Sequence, residues 1–184
     1  AKEGGALVIV IGHAGAEFLP IPTPRIRRLY REFIELGADL VVGHHPHVIQ
    51  GCETYKSRPI FYSLGNFGIC RGYRRRSETI GILLNIVVVD QKIASLGVVP
   101  LENTPAGIRR IERSNSDQFF NFWNPAMDLL GDEARYAAVW SKYIQRYDLF
   151  AKSADIFWES IVNPARARNL FHNLLADNCF REHR

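Results

Sequence analysis

Gly37-Ala-Asp-Leu-Val-Val-Gly-His-His-Pro-His-Val-Ile-Gln-Gly51 decides how this chain is read. Its apolar part, Ala38 to Val42, has the character of a short strand buried on both faces, and it stops at Gly43 and runs straight into three histidines. Upstream, Ala6-Leu-Val-Ile-Val-Ile11 is a similar β-branched run, halted by Gly12 and followed by His13. Between the two, Thr23-Pro24 supplies an N-cap and a proline at the first helical position. Ile26, Leu29, Tyr30, Phe33 and Leu36 then fall on one helical face, opposite Arg27, Arg28, Arg31 and Glu35. Gly37 offers the left-handed residue that closes a helix. Strand, helix and strand in this order form a β-α-β unit, which favours a parallel sheet covered by helices, so the expected fold class is α/β.

Further along, Pro59-Ile-Phe-Tyr-Ser-Leu64 predicts a third strand, and the runs Thr79 to Val89 and Ile93 to Leu101 predict two more, joined by Asp90-Gln91-Lys92 as a hairpin. The β-rich part is expected to end near Glu102, giving an α/β domain over residues 1–102 and a helical extension over 103–184. In that extension, Asn124-Pro125 and Asn163-Pro164 each read as a capping Asn followed by a proline that opens a helix. Its aromatic residues, Phe119, Phe120, Phe122, Trp123, Trp140 and Tyr143 among them, read as packing surface against the sheet or a second copy of the chain.

The chain has 184 residues, 47% hydrophobic and 23% charged, with 23 Lys+Arg against 19 Asp+Glu and a formal net charge of +4. That suits one globular domain, or one with a small extension, and excludes disorder, collagen and coiled coil. No apolar run reaches the roughly 18 residues that a bilayer-crossing helix needs, so the chain as written reads as soluble. Ala1 to Val10 lacks signal-peptide features, and the absence of an initial Met makes residue 1 an unexpected start for a gene product. Cys52, Cys70 and Cys179 have neither disulfide-framework nor zinc-ribbon spacing. The mild charge gives no reason to expect nucleic acid as a partner.

Four of the six histidines, His13, His44, His45 and His47, lie in the first 47 residues, each just after an expected strand. In open α/β sheets ligands bind beyond the strand carboxyl ends, so the four converge if their strands are neighbours. Imidazole suits Mn, Fe, Zn or Ni, and His45 and His47 can give two nitrogens to one ion or one each to two, with Pro46 stiffening the loop. The alternative is that they cap strand ends through hydrogen bonds. Glu17 reads as a group that orients an imidazole, as a ligand, or as a solvated loop residue. Asp39 precedes its strand and sits at the wrong end of the sheet, and Glu53, which follows the histidine cluster, reads either as facing the crevice or as turned away from it.

With these residues in view, a family resemblance becomes specific. His13-Ala-Gly-Ala-Glu17, the Gly37 to Gly51 stretch and Ile60-Phe-Tyr-Ser-Leu-Gly-Asn-Phe67 resemble consecutive motifs of the CapA family of capsule or poly-gamma-glutamate synthesis proteins, over about residues 6 to 100. That family is similar in fold to the calcineurin-like metallophosphoesterases. The resemblance implies part of their β-sandwich, flanked by helices and followed by a helical extension. It makes His13, His45 and His47 metal ligands for two divalent ions (Mn, Fe or Zn), with the remaining ligands in an amino-terminal half that this sequence lacks. His44 becomes a supporting or substrate-facing group and Asn66 a hydrogen-bonding support, while Ala14 replaces the family's usual Trp.

The function so implied is a metal-dependent phosphoesterase-like hydrolase, active when the amino-terminal half is present. The alternative is a non-catalytic capsule or polymer assembly protein on the same fold. Its partners would be an anionic or phosphorylated substrate, or a polyanionic polymer, with a homo-oligomer formed through the helical tail and a place at the cell surface or membrane. Within Arg71-Gly-Tyr-Arg-Arg-Arg76, Arg74, Arg75 and Arg76 read either as an anion clamp or as a solvated basic loop.

Overall fold

The computed structural model describes residues 5–68, 76–112 and 116–144. Arg74 and Arg75, the side chain of Arg76, the Asn163-Pro164 cap and the tail beyond 144 therefore lie outside the described residues. Residues 1–133 form one compact unit and residues 134–184 a second.

The first unit opens with the expected β-α-β unit: β1 (Ile9–His13), α1 (Pro24–Glu35) and β2 (Leu40–His44). β3 (Cys52–Tyr55) and β4 (Arg58–Phe61) follow, and the four strands order as β1-β2-β4-β3. β1 and β2 are parallel, with Ile9 beside Leu40 and His13 beside His44, and β4 is parallel to β2. A second, antiparallel sheet is built from β5 (Ile80–Val89), β6 (Lys92–Thr104) and β7 (Gly107–Arg110). The two sheets join where Ile82 N–H donates to the Leu64 carbonyl at 2.8 Å. The fold is α/β, as expected.

Val42 and Phe61 are register partners, so they share a face of the first sheet. They meet Ile80 and Ile82 of the second sheet and Phe119 and Trp123 of α2 (Asp117–Leu130) in one core cluster. Trp123 stacks on Phe119 at 5.4 Å between ring centroids and meets Phe61 at 6.3 Å. In the second unit, α3 (Glu133–Ile144) brings Tyr136 and Trp140 edge to face at 6.5 Å.

Several local expectations change. Among the described residues β1 pairs with β2 alone, and its apolar run is not buried on both faces: Ile11 is 72% exposed. The strands run past Glu102, because β7 pairs with the end of β6, and α2 is part of the sheet domain's core. Pro125 sits inside α2 instead of opening a helix, since the buried residues on either side, Phe119, Trp123, Ala126, Leu129 and Leu130, carry the helix through it. The buried face of α1 is rotated, running through Ile26, Arg27, Tyr30 and Ile34, while Leu36 is 74% exposed.

Arg27, expected on the polar face, is buried because the two terminal nitrogens of its guanidinium are held by two carboxylates and a carbonyl. Its guanidinium donates to Glu53 Oε2 at 2.9 Å, to Glu133 Oε2 at 3.0 Å and to the Leu130 carbonyl at 2.8 Å. Arg31 forks onto the same Glu53 carboxylate at 2.8 and 2.7 Å, and Tyr62 also donates to it. Burial pushes the Glu53 carboxyl up, but the hydrogen bonds from Arg31, Arg27 and Tyr62 outweigh that and hold its pKa at about 2. The folded-state pKa is depressed, so the stabilisation is present above the ordinary carboxylate range and is lost as pH falls through it toward 2. Acid melts should show a loss of roughly 3 kcal/mol over that window. In Glu53→Gln that limb should flatten while the neutral-pH stability drops; an unchanged acid limb would disprove the assignment.

Candidate metal centre

Gly12 and Gly43 are register partners one residue before His13 and His44. A Cβ on Gly12 would lie 2.6 Å from Tyr30 Oη; one on Gly43 would lie 2.1 Å from the Tyr62 carbonyl oxygen and 2.8 Å from Tyr30 Cε2. Glycine at both positions thus lets α1 press its tyrosine onto the strand ends, and Tyr30 in turn stacks flat on Tyr62 at 5.7 Å. His13 and His44 end their strands side by side.

Beyond β2 the backbone turns sharply. His45 has φ 98° and His47 has φ 60°, both in the left-handed region that side-chain-bearing residues avoid. Such strain persists only where the surroundings impose it, and it concentrates at functional sites. Here it directs successive imidazoles into one space: the His13 and His45 ring centroids are 5.0 Å apart and those of His45 and His47 are 6.0 Å apart.

Asn66 fixes which ring nitrogen of His47 faces the protein. Its side-chain amide donates to the His47 carbonyl at 3.0 Å and the Glu78 carbonyl at 2.9 Å, so its Oδ1 must face the ring, where His47 Nδ1–H donates to it at 2.9 Å. The proton is thereby held on Nδ1 and the Nε2 lone pair is left for a metal, the usual arrangement behind a ligating histidine. Asn103, which the sequence reading missed, supports this by donating to the Asn66 carbonyl at 2.9 Å. His44 has its pKa lowered by burial and by the neighbouring His13 charge, so it stands neutral at physiological pH.

The four histidines and Asn66 line one end of a cleft of about 610 Å³ between the two sheets; Ile9, Ile11, Ile82, Leu84 and Ile86 line the rest. Among the described residues none of its lining side chains is acidic. Glu17, beside it, places a carboxylate oxygen within 4.8 Å of one nitrogen each of His45 and His47. Imidazoles with a neighbouring carboxylate form a donor set that suits Mn, Fe or Zn. His13, Glu17, His44, His45, His47 and Asn66 are thus brought together. Asp39 is at the far end of the sheet, accepting from Val8 N–H at 3.0 Å and pairing with Arg58, and Glu53 is held by its arginines. The recurring Gly-His at 12–13 and 43–44 was the sequence signal for the close approach of α1.

A family model for the bacterial capsule synthesis protein PGA_cap matches residues 1–70. The capsule biosynthesis protein CapA of Bacillus anthracis is 38% identical over 142 residues, covering 77% of this chain and 33% of that protein. The PGA biosynthesis protein CapA of Bacillus subtilis is 36% identical over 113 residues, 60% of this chain and 29% of the relative. Over these spans the chain is similar to the CapA family. A probable polyglutamine synthesis accessory protein of Mycobacterium tuberculosis is similar at 28% identity over 127 residues, 66% of this chain and 32% of that protein. The chain spans about a third of the length of the curated CapA relatives it matches. Its matched span, residues 1–70, contains every histidine of the cleft together with Glu17 and Asn66.

The strain at His45 gives a sharp expectation. Replacing it by glycine relieves a conformation costing about 1–3 kcal/mol, against a glycine entropy penalty of roughly 1 kcal/mol. His45→Gly should therefore melt at or above the wild-type temperature and yet retain less metal, read by calorimetry and by metal content after dialysis. His13→Gly, in a regular strand, should melt lower. Destabilisation of His45→Gly beyond that of His13→Gly would contradict the account of strain.

Proposed function

We propose that this cleft is the metal centre of a phosphoesterase-like hydrolase of the CapA family that acts in capsule or poly-gamma-glutamate synthesis. The observation that carries the reading is the strained His45-Pro46-His47 turn, with the His47 Nε2 lone pair freed by Asn66 and His13 alongside. The names of the relatives, capsule and PGA biosynthesis proteins, supply the process.

His13, His45 and His47 would hold two divalent ions, Mn, Fe or Zn, together with ligands from an amino-terminal half of the kind the resemblance implies. When bound, such ions lower the pKa of a water and hold a phosphoryl group for in-line attack. The chain's own residues do the rest. Asn66 keeps the His47 proton on Nδ1. His44, neutral and partly buried in the cleft, offers a hydrogen bond to a substrate oxygen. The apolar side chains of Ile82, Leu84 and Ile86 lower the polarity of one side of the cleft and strengthen the electrostatics of the other. The substrate would be anionic or phosphorylated, with Arg74, Arg75 and Arg76 as its clamp.

A second reading, polymer binding or assembly without turnover, is favoured by that same apolar wall, which suits a docked chain segment as well as a reactant. Turnover of an aryl phosphate by the full-length protein with Mn separates the two. Hydrolysis is expected to vanish in His45→Ala and to fall as pH drops through the imidazole range, because protonated histidines cannot bind metal. A metal-loaded protein that hydrolyses no phosphoester would favour assembly.

A further inference from the structure

The cleft between the two sheets is polar at one end only. The histidines gather there, and no lining side chain among the described residues is acidic, so an anionic group meets imidazole N–H donors and no like charge. The other side is built by β5. Its residues Ile82, Leu84 and Ile86 alternate onto one face, opposite Pro100, Val98 and Leu96 of β6, and all six are apolar. Ile82 is buried in the core, whereas Leu84 and Ile86 are half-buried and carry that face on into the cleft.

Phe67 lines the same cleft and is 64% exposed. Its backbone is nevertheless fixed on both sides by one buried side chain: Asn103 Nδ2 donates to the Asn66 carbonyl at 2.9 Å, and Asn103 Oδ1 accepts from Gly68 N–H at 2.8 Å. Gly65, at φ 71°, lets the start of this loop press against β5, where a Cβ would lie 2.6 Å from the Ile80 carbonyl oxygen. An exposed ring on a clamped backbone has little ordering entropy left to lose when a ligand covers it. The cleft volume of about 610 Å³ is that of a small-molecule site, and apolar walls with a few convergent polar groups are how such sites are made.

We propose that the cleft takes a phosphoester whose alcohol half is apolar, an alkyl or aryl group, with the phosphate at the histidine end and the apolar group between Phe67 and the face formed by Leu84 and Ile86. The inference rests on the reading of the cleft as a phosphoester site and names its substrate class. Hydrolysis puts the water oxygen on phosphorus and releases the apolar alcohol carrying a proton from that water. Phe67 and Ile86 are then specificity-determining residues, because contact with the non-reacting group supplies binding energy that a small hydrophilic ester lacks.

The test uses the full-length protein with methyl, butyl and hexyl phosphate, and glycerol phosphate as the polar counterpart. Calorimetry reads binding with and without Mn, and phosphate release reads turnover. Affinity and kcat/KM should rise from methyl to hexyl phosphate by roughly two- to fourfold per methylene, the upper figure being full burial of the group. Glycerol phosphate should bind no better than methyl phosphate. Phe67→Ala should lower the affinity for hexyl phosphate roughly five- to tenfold and leave methyl phosphate within about twofold, and Phe67→Leu should restore part of the loss. Ile86→Thr should flatten the dependence on chain length, with circular dichroism separating lost binding from lost fold. Leu36→Ala, at the end of α1 and outside the cleft lining, should change nothing. No dependence on chain length, as expected if another part of the protein fills the cleft, would overturn the apolar subsite. So would hexyl selectivity unaltered in Phe67→Ala, or no binding of hexyl phosphate with or without Mn. Chain-length-dependent binding without phosphoester turnover would sink only the hydrolase reading. Turnover of methyl and hexyl phosphate at equal kcat/KM would sink only this one.

Discussion

The close approach of α1 to the ends of β1 and β2 is the contact on which the rest of the site depends. Tyr30 occupies the space that side chains at 12 and 43 would need, and it rests on Tyr62 in the next strand of the sheet. A bulkier residue at either position would lift the helix or displace a strand, and His13 and His44 would no longer end at one height. The parallel register does the remainder: with the strands paired residue for residue from Ile9 and Leu40 onward, two sequence-distant histidines become neighbours without any long-range loop having to find its place.

Acidic groups near the histidines meet three different fates, and the arginines decide among them. Asp39 is consumed at the opposite end of the sheet by Val8 and Arg58. Glu53, only a few residues past the histidine turn, is pinned by Arg27, Arg31 and Tyr62 on the helix side. Glu17 has no such captor among its described contacts and is exposed. The ion-pair knot therefore stiffens the helix–sheet join and also withdraws a carboxylate from the neighbourhood of the histidines.

How much of this could be read beforehand follows from what each signal depends on. The β-α-β unit was legible because Thr23-Pro24, Gly37 and the two β-branched runs are local signals that tertiary structure had no cause to override. The convergence of His13 with His45 and His47 followed from strand-end placement alone. The exposure of β1 was not legible, since an apolar run reads the same whether one or both of its faces are covered. Pro125 misled for a related reason: its local preference for a helix start lost to the burial of aromatic residues one turn away. β3 and β7 are short and polar, and they exist because a neighbouring strand offers them a partner. Arg27 showed its charge in the sequence, but its burial needed Glu53 and Glu133, far away along the chain.

Asn66 stands at the junction of the two sheets. Its amide is shared between His47 and the backbone of Glu78, and its own carbonyl accepts from Asn103 on β6. The hydrogen bond that orients the imidazole is therefore part of the seam that holds the second sheet against the first. A species that binds His47 through Nε2 favours the one arrangement in which that seam is intact, and an intact seam favours binding by the same free energy. Occupancy of the histidine cluster and cohesion of the two sheets are, in thermodynamic terms, linked functions.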